Sequence, residues 1–287
     1  NYFAKFDMLI PEPRLSISQR FLNNFRFEVL GELKSQTTSQ VIDLQNDFLG
    51  IEKRRWVLAN NDDIPIIKSK QISTGIHFNK NSFLISAEAY IKKVDGITTK
   101  SQGFQNQYQF TNSIGSYEIK GIDILLNKAF SDVFHSWISY SYSTNDYTFQ
   151  ELNDGNSFPN NLDIKHILTM AGTYTYNNFK VAAGFNYHTG KPTTEIISDN
   201  NTTEDRITFA NPNSERLPEY LRLDCSATYD FDISETAHAR FGASVWNLLN
   251  KRNILNSYYT LDSENNITKV ENESLGITPN VSFRVFF

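Results

Sequence analysis

Hydrophobic and polar residues alternate with a period of two along most of this chain. From Leu221 to Phe231 every second residue is apolar, aromatic or small, whereas Arg222, Asp224 and the other intervening residues are polar. Alternate residues of a β-strand point to opposite faces of its sheet, so this pattern predicts strands with one apolar and one polar face. The helical spacing of three and four residues is almost absent. The pattern therefore predicts an all-β protein.

About eleven such segments follow one another along the chain. They lie near residues 13–21, 25–37, 67–79, 82–95, 113–129, 136–149, 165–177, 179–192, 219–231, 238–249 and 277–287. The connections are alternately short, as at 177–178, and long, as at 38–66 and 193–218. A meander with short turns at one end and long loops at the other is typical of bacterial outer-membrane barrels. Many of the strands also reach about 11 to 15 residues, enough to cross a bilayer at a tilt.

Two local features modify the regular alternation. In the predicted strand 113–129, Tyr117 and Ile119 share one face, whereas Ile122 and Ile124 share the other. Gly121 lies at this change of phase, and a glycine in such a place predicts a β-bulge. Aromatic residues also gather where strands end, which predicts girdles at the membrane–water interfaces. They include Tyr147, Phe149, Tyr174, Tyr176, Phe179, Tyr187, Tyr220 and Tyr229.

Composition narrows the class of protein further. The 287 residues are 21% charged, 39% hydrophobic and 14% aromatic, with one cysteine and a net charge of -5. These values exclude a disordered chain and a disulfide scaffold. No apolar run approaches the roughly 18 residues of a membrane-spanning helix, and without a basic stripe we expect no nucleic-acid partner. The opening NYFAKFDML predicts no signal peptide within this segment.

The C-terminal segment NVSFRVFF is an amphipathic strand that ends in an aromatic residue. Val281, Phe283, Val285 and Phe287 share its apolar face. Such a strand resembles the sorting signal by which the barrel assembly machinery recognises outer-membrane barrels. We therefore predict that these four residues form an assembly signal, with an ordinary terminal strand as the alternative.

The number of strands indicates an incomplete barrel. If Phe287 ends on the side of the short turns, the first of eleven strands runs in the same direction as the last. Two parallel edges cannot close an antiparallel barrel of even strand number, and open edges would leave backbone groups unpaired in lipid. We therefore predict that residues 1–287 form half of a plugged barrel of about 22 strands. The edge strands near 13–21 and 277–287 should pair with strands outside this sequence.

Several segments, in their order and spacing, are similar to the C-terminal barrel half of TonB-dependent outer-membrane receptors, particularly those of Bacteroidetes. They are SYEIKGIDILLNKAF, SYSYSTNDYTF, GNSFPNNLDIKH, GFNYHTGKPTT, SERLPEYLRLDCSATYDF, ASVWNLLNKRNIL and LGITPNVSFRVFF. The resemblance covers residues 1–287. It implies localisation in the bacterial outer membrane and energy-coupled import of a scarce nutrient such as a siderophore, cobalamin, a glycan or a peptide.

The same resemblance implies a set of partners. They are outer-membrane lipid, the N-terminal barrel half, the plug domain, TonB acting through that plug, and the barrel assembly machinery, with a surface lipoprotein as a further candidate. The plug and the TonB box are not contained in this sequence.

Two other functions fit the strand pattern. One is a non-coupled outer-membrane barrel that acts as a porin or as the scaffold of a surface complex. The other is a soluble or surface adhesin built on a β-sandwich. A plug and a TonB box in the upstream sequence would favour import over the first, and a requirement for detergent would exclude the second.

The sequence predicts no catalytic residue, cofactor or metal site. The five histidines are scattered singly, and no GxSxG, Walker or GxGxxG motif occurs, so we expect no enzymatic activity. In loop 38–66, Arg54, Arg55 and Trp56 are candidate contacts for a carboxylate- or phosphate-bearing ligand, because arginine presents a bidentate fork to such groups. The alternative is a solvated loop.

A second long loop carries three carboxylates. Asp199, Glu204 and Asp205 are candidate calcium ligands in loop 193–218, because calcium prefers oxygen donors. The alternative is a plain hydrophilic loop.

Overall fold

The computed structural model describes residues 1–43, 53–60, 62–102, 104, 112–197, 207–261 and 266–287. Its main element is one antiparallel sheet in which eleven long strands lie in the order of the sequence. They are β1 (Arg14–Phe21), β2 (Phe25–Gln36), β3 (Ile67–Lys80), β4 (Phe83–Thr98), β5 (Ile114–Ala129), β6 (Phe134–Phe149), β7 (His166–Tyr176), β8 (Phe179–His188), β9 (Tyr220–Ser234), β10 (Ala237–Trp246) and β11 (Thr278–Phe286). This is the predicted all-β meander.

Tight turns join the strands at one end of the sheet. Asn81 and Ser82, between β3 and β4, have φ values of 50° and 58°. Two consecutive positive φ values are those of a type I′ turn, whose twist matches that of the flanking strands. An asparagine accepts this conformation more readily than most residues.

Long loops join the strands at the opposite end, and they contain short strands of their own. Thr38–Asp43 pairs with Lys53–Leu58, Pro192–Thr193 with Glu215–Arg216, and Ile254–Leu261 with Ile267–Glu273. Phe158–Pro159 pairs with β6, and Tyr2–Phe3 pairs with Met8–Leu9 near the N-terminus. Single 3-10 turns lie at Ala4–Phe6, Thr99–Ser101 and Asn153–Gly155. The alternation along the sequence did not predict the loop hairpins.

The two faces of the sheet differ in chemistry. We call the face that carries Leu223 and Ala227 the outer face and the face that carries Arg222 and Ser226 the inner face. On the inner face Arg222 pairs with Asp224 at 2.7 Å. On the outer face an aromatic row crosses β8 to β11 near the tight turns, where Phe179, Tyr229, Phe241 and Phe283 are successive cross-strand partners. This row corresponds to one predicted girdle.

Two of the aromatic residues predicted for a girdle lie elsewhere. Tyr147 and Phe149 are on the inner face, with only 2% and 0% of their surface exposed. They belong to a buried cluster at the loop end of β4–β6, together with Val94, Ile97, Phe104, Leu152 and Phe158. Their position at a strand end is as expected, but β6 turns these rings toward the loops instead of toward a membrane interface.

The predicted bulge at Gly121 is wrong. Gly121 pairs in unbroken register with Tyr90 of β4 and Ser143 of β6. The register shifts instead between Asp95 and Ile97 of β4, where Gly96 has a φ of 85°, and between Asp232 and Ser234 of β9. Gly121 instead leaves room for the side chain of Tyr90, since a methyl group there would lie 2.5 Å from the Tyr90 hydroxyl oxygen.

The change of phase in β5 has a physical cause in the surroundings of the strand. Near the loops Tyr117 faces inward and packs against the buried cluster. Toward the turns Ile122 and Ile124 face outward and are exposed. The apolar side chains therefore change faces where the apolar surroundings change from a loop core to the outer surface.

The sheet ends in two strands that each have one partner. β1 pairs with β2 and β11 pairs with β10, and within the described ranges neither edge pairs with the other. Within those same ranges, no helix is long and apolar enough to cross a membrane.

The assignment of faces gives a prediction for two neighbouring residues. Ala227 lies at the middle of β9 on the outer face, opposite Val181 and Ala243, and Ser226 lies on the inner face. We expect Ala227→Arg to lower the free energy of unfolding in lipid by roughly 2–4 kcal/mol, because it places a charge in hydrocarbon. Ser226→Arg is the matched control and should cost much less. Urea titration of the full-length protein in bilayers measures both, and equal losses would show that the faces are assigned incorrectly.

Candidate functional site

A cavity of about 530 Å³ lies among the long loops. All five loops contribute to its lining, with Arg54 from the first, Phe104 from the second, Asn161 from the third, Lys191 and Phe209 from the fourth, and Tyr258 and Tyr259 from the fifth. Segments distant in sequence thus meet above one end of the sheet. Binding sites commonly form on loops that a rigid scaffold holds in place.

The cavity is anchored to the sheet through aromatic packing. Phe104 lines the cavity and its ring centroid lies 5.5 Å from that of Tyr147 and 5.8 Å from that of Phe149. Edge-on and tilted ring pairs at such distances are favourable beyond their buried area. Gly115 makes room for this packing, since a methyl group there would lie 2.4 Å from the Phe149 ring.

A buried carboxylate fixes the third and fourth loops relative to β6. Asp163, whose side chain is 2% exposed, accepts a 2.9 Å hydrogen bond from the backbone N–H of Asn145 and pairs with the guanidinium of Arg216. Arg216 also donates to the carbonyl oxygens of Asp163 at 2.7 Å and Gly190 at 3.0 Å. A buried ion pair is tolerated only when further hydrogen bonds offset its desolvation, and here they do so.

Asn213 extends this network to the wall of the cavity. Its side-chain amide donates to the carbonyl oxygen of Pro159 at 2.7 Å and to Oδ1 of Asn161 at 2.8 Å. Its backbone N–H donates to the hydroxyl of Thr194 at 2.9 Å, and Asn161 in turn donates to the carbonyl oxygen of Gln102 at 3.1 Å. The second, third and fourth loops are therefore held by side-chain amides.

The fifth loop is held in the same manner by two buried asparagines. Asn253 accepts from the N–H of Leu221 at 2.8 Å and donates to the carbonyl oxygen of the same residue at 3.0 Å. Asn247 donates to the carbonyl oxygens of Lys251 at 2.8 Å and Leu275 at 2.9 Å. These bonds replace backbone pairing that a loop cannot supply.

The first loop begins its return to β3 in a turn organised by Asn60. Oδ1 of Asn60 accepts from the backbone N–H groups of Asp63 at 2.9 Å and Ile64 at 3.0 Å. The amide of Asn60 donates to the Asp63 carboxylate and lowers its pKa, with Lys100 at 3.4 Å acting in the same direction. A lowered pKa means that this contact persists at neutral pH and is lost only when the pH falls through that lowered value.

The described residues that line the cavity carry charge of one sign. Arg54 and Lys191 supply cations, and no aspartate or glutamate occurs among the described residues that line it. Phe209, Tyr258 and Tyr259 add aromatic surface. Guanidinium and ammonium groups beside aromatic rings suit an anionic organic ligand.

The structure separates the three residues predicted for a ligand loop. Arg54 lines the cavity. Arg55 and Trp56 lie on the same short strand, Lys53–Leu58, but do not line the cavity, and Trp56 is 66% exposed. The predicted calcium ligands Asp199, Glu204 and Asp205 lie outside the described residues. Of the predicted assembly signal, Val281, Phe283 and Val285 lie on the outer face of β11, and Phe287 follows its last residue.

Lys191, Asn213 and the Asp163–Arg216 pair were not predicted from the sequence. A signal for Asp163, Asn213 and Arg216 exists in the segments FPNNLDIKH and NPNSER, where asparagine and proline are dense. Such residues form side-chain bonds to loop backbone, as they do here.

A second polar constellation lies on the inner face. The hydroxyl of Ser86 is 2.8 Å from Nδ1 of His77, whose Nε2 is 3.1 Å from the Glu28 carboxylate. The residue types are those of a hydrolytic triad. Ser86, however, is paired on both sides within the sheet, so its backbone N–H is not free to stabilise an oxyanion. In the described part of the chain, no three His, Cys, Asp or Glu side chains come together as metal ligands.

Comparison with known proteins agrees with this architecture. Residues 13–248 match the family model described as TonB dependent receptor-like, beta-barrel. The chain belongs to this family. As a TonB-dependent receptor-like barrel, it is an outer-membrane protein. No curated protein matches the chain.

Solved structures of iron uptake receptors and transporters have the same fold. The chain is similar to the ferric yersiniabactin uptake receptor FyuA from Yersinia pestis, with 13% identity and a TM-score of 0.64. It is also similar to the ferric citrate transporter FecA, with 12% identity and a TM-score of 0.63, and to the FrpB iron transporter from Neisseria meningitidis, with 11% and 0.61. Each match covers 96% of this chain but only 37%, 38% and 39% of those structures, respectively.

The walls of the cavity give a prediction at Gly190. A methyl group on Gly190 would lie 1.5 Å from the carbonyl oxygen of Leu217. We expect Gly190→Ala to force the two segments apart at a cost of roughly 1–3 kcal/mol and to increase trypsin cleavage after Arg216. Gly184→Ala is the control, because its nearest contact is 4.0 Å away. Unchanged cleavage of Gly190→Ala would mean that the close approach does not hold these loops.

Proposed function

We propose that this chain forms the C-terminal half of the barrel of a receptor that imports a scarce, anionic nutrient across the outer membrane. The observation that carries the proposal is the cavity among the five loops, which has two cationic side chains, four aromatic ones and no carboxylate among its described lining residues. Such a lining favours a negatively charged organic molecule over a neutral one.

The nutrient classes that the sequence suggests are siderophores, cobalamin, glycans and peptides. An anionic metal chelate fits the cavity's charge best. The structural relatives support this choice, because their names state ferric yersiniabactin uptake and ferric citrate transport. For this chain the ferric siderophore remains a proposal.

The half-barrel assignment has its own support. Eleven strands in a meander leave β1 and β11 parallel, each with an unpaired edge. A barrel of about 22 strands would pair each edge with a strand of the N-terminal half. The plug then packs against the inner face and communicates with TonB.

The test of energy-coupled import uses the full-length receptor in cells that lack other iron receptors. We expect uptake of radiolabelled ferric citrate or a ferric tricatecholate, and we expect a proton-gradient uncoupler to stop it. Uptake that continues after uncoupling would instead support the porin. Binding of a chelate to the purified receptor without any uptake would support the surface scaffold.

Substitutions at the cavity test the nature of the ligand separately. We expect Arg54→Glu combined with Lys191→Glu to weaken binding of the same chelates at least tenfold, about 1.4 kcal/mol, because two attractions become repulsions. Arg55→Glu is the matched control, since Arg55 is the next residue but does not line the cavity. Titration of the purified receptor measures the dissociation constants. Equal affinities for all three proteins would refute the anion site, whatever the result on energy coupling.

The predicted assembly signal stays a prediction, and β11 offers a matched pair of variants. Phe283 lies on the outer face opposite Phe241, and Phe286 lies on the inner face opposite His238. If the barrel assembly machinery reads the outward residues, Phe283→Asp should lower the amount of full-length receptor in the outer membrane severalfold, whereas Phe286→Asp should not. Quantitative blots of outer-membrane fractions compare them, and equal amounts would remove the signal.

A further inference from the structure

Two shallow apolar grooves lie side by side on the outer face, near the loop end of β1–β6. They have volumes of about 590 and 510 Å³, and Ile72 and Ile91 line both of them. The first groove runs over Gly31, between Leu15 and Ile72. The second runs over the small residues Thr74 and Ala89 and reaches Ile122 and Tyr142.

The first groove exists because a side chain is missing. Leu15, Gly31 and Ile72 are successive cross-strand partners, and Leu15 and Ile72 are both exposed. A methyl group on Gly31 would meet only the carbonyl oxygen of Gln71, at 4.0 Å. Neither steric contact nor a positive φ requires glycine here, so the open space itself is the distinctive feature.

Four lysines border the grooves on the side of the loops, and we call them the lysine belt: Lys68, Lys70, Lys93 and Lys120. Lys70 and Lys93 are direct cross-strand partners and both line the first groove. Lys120 lies opposite Ile91 and lines the second groove. Like charges placed directly opposite each other destabilise a sheet unless a counter-charge is present.

The acidic residues on the same face neutralise only part of the belt. Lys93 is 3.7 Å from Asp95, which is also the cross-strand partner of Lys68. Lys120 is 2.5 Å from Glu118, and Asp146 lies opposite Glu118 on the same face, so three carboxylates face the four lysines. Lys68 and Lys70 have no ion pair with another described residue. The belt therefore carries excess positive charge directly beside exposed apolar grooves.

We propose that the grooves and the lysine belt bind one phosphorylated, multi-chain glycolipid of the outer leaflet, with acyl chains in the grooves and phosphate groups on the lysines. The proposal rests on the outer-membrane location of this family and on the outer face meeting lipid. The two adjacent apolar grooves can each hold an acyl chain, which favours a lipid with more than one chain. Lys70 and Lys93 lie opposite each other, so an anion bound between them at the level of the lipid head groups would relieve their mutual repulsion.

The chain provides matched control positions for this site. Lys92 is adjacent to Lys93 but lies on the inner face, opposite Gln71 and Ile119. Lys92→Gln therefore removes the same charge from the same strand without touching the belt. Gly184 is the control for replacing a glycine. It lies on the inner face of β8, and a methyl group there, as on Gly31, would meet only one carbonyl oxygen, at 4.0 Å.

The experiment is native mass spectrometry of the full-length receptor in mild detergent, titrated with bisphosphorylated lipid A. We expect one tightly retained lipid per receptor. Lys70→Gln combined with Lys93→Gln should lower retention roughly tenfold or more, and Gly31→Leu should lower it by filling the groove. Lys92→Gln and Gly184→Leu should retain the lipid as the unmodified receptor does. Heat-modifiable electrophoretic mobility confirms that each variant is folded.

Three further probes identify the occupant. Dephosphorylated lipid A should be retained much more weakly, and inorganic phosphate at equal concentration should not displace the lipid. Phosphatidylglycerol, which has one phosphate and two acyl chains, should bind more weakly than lipid A, so that added lipid A displaces it from the receptor. Equal retention of dephosphorylated lipid A, equal retention of phosphatidylglycerol, or a Lys92→Gln effect as large as that of the belt variant would each overturn the proposal.

Discussion

A backbone amide or carbonyl group that meets hydrocarbon without a hydrogen-bond partner costs several kcal/mol, and this cost governs the organisation of the whole chain. Nine of the eleven long strands have neighbours on both sides. When consecutive strands pair in antiparallel fashion, these backbone groups find partners in the neighbouring strand, and tight turns suffice to connect the strands. Within the described ranges, β1 and β11 are the two long strands that retain an unpaired edge. These two edges are the surface at which the proposed N-terminal half of the barrel would join.

Beyond the bilayer the same backbone problem has a different solution. Much of the loop backbone has no neighbouring β-strand to pair with. Buried side chains such as Asp163, Asn213 and Asn253 supply the missing hydrogen-bond partners. These bonds connect residues far apart in the sequence, as in the contact between Arg216 and Asp163. The cavity therefore depends on polar contacts with little tolerance for substitution, whereas the sheet below depends on repeated pairing that tolerates many side chains.

This difference explains which features the sequence predicted. Alternation is local, so the eleven strands and their order followed from residues such as those between Leu221 and Phe231. The environment of a strand end is not local: Tyr147 and Phe149 alternate like girdle residues, yet their rings pack against Phe104 in the second loop. Gly121 looked like a bulge because apolar residues change faces there. Arg54 was found as a cation next to an aromatic residue, but its cavity partner Lys191 is distant in sequence and has no such local pattern.

The length of the central strands has a consequence for the capture of an anion. β4, β5 and β6 have 16 residues each, whereas about 9 to 11 cross a bilayer at a tilt of about 45°. The remaining residues extend the wall by roughly 12–16 Å. Electrostatic repulsion from anionic head groups is screened over about 8 Å at physiological ionic strength. A cavity mounted on this collar would therefore meet the proposed anionic ligand beyond the reach of the membrane's own negative potential.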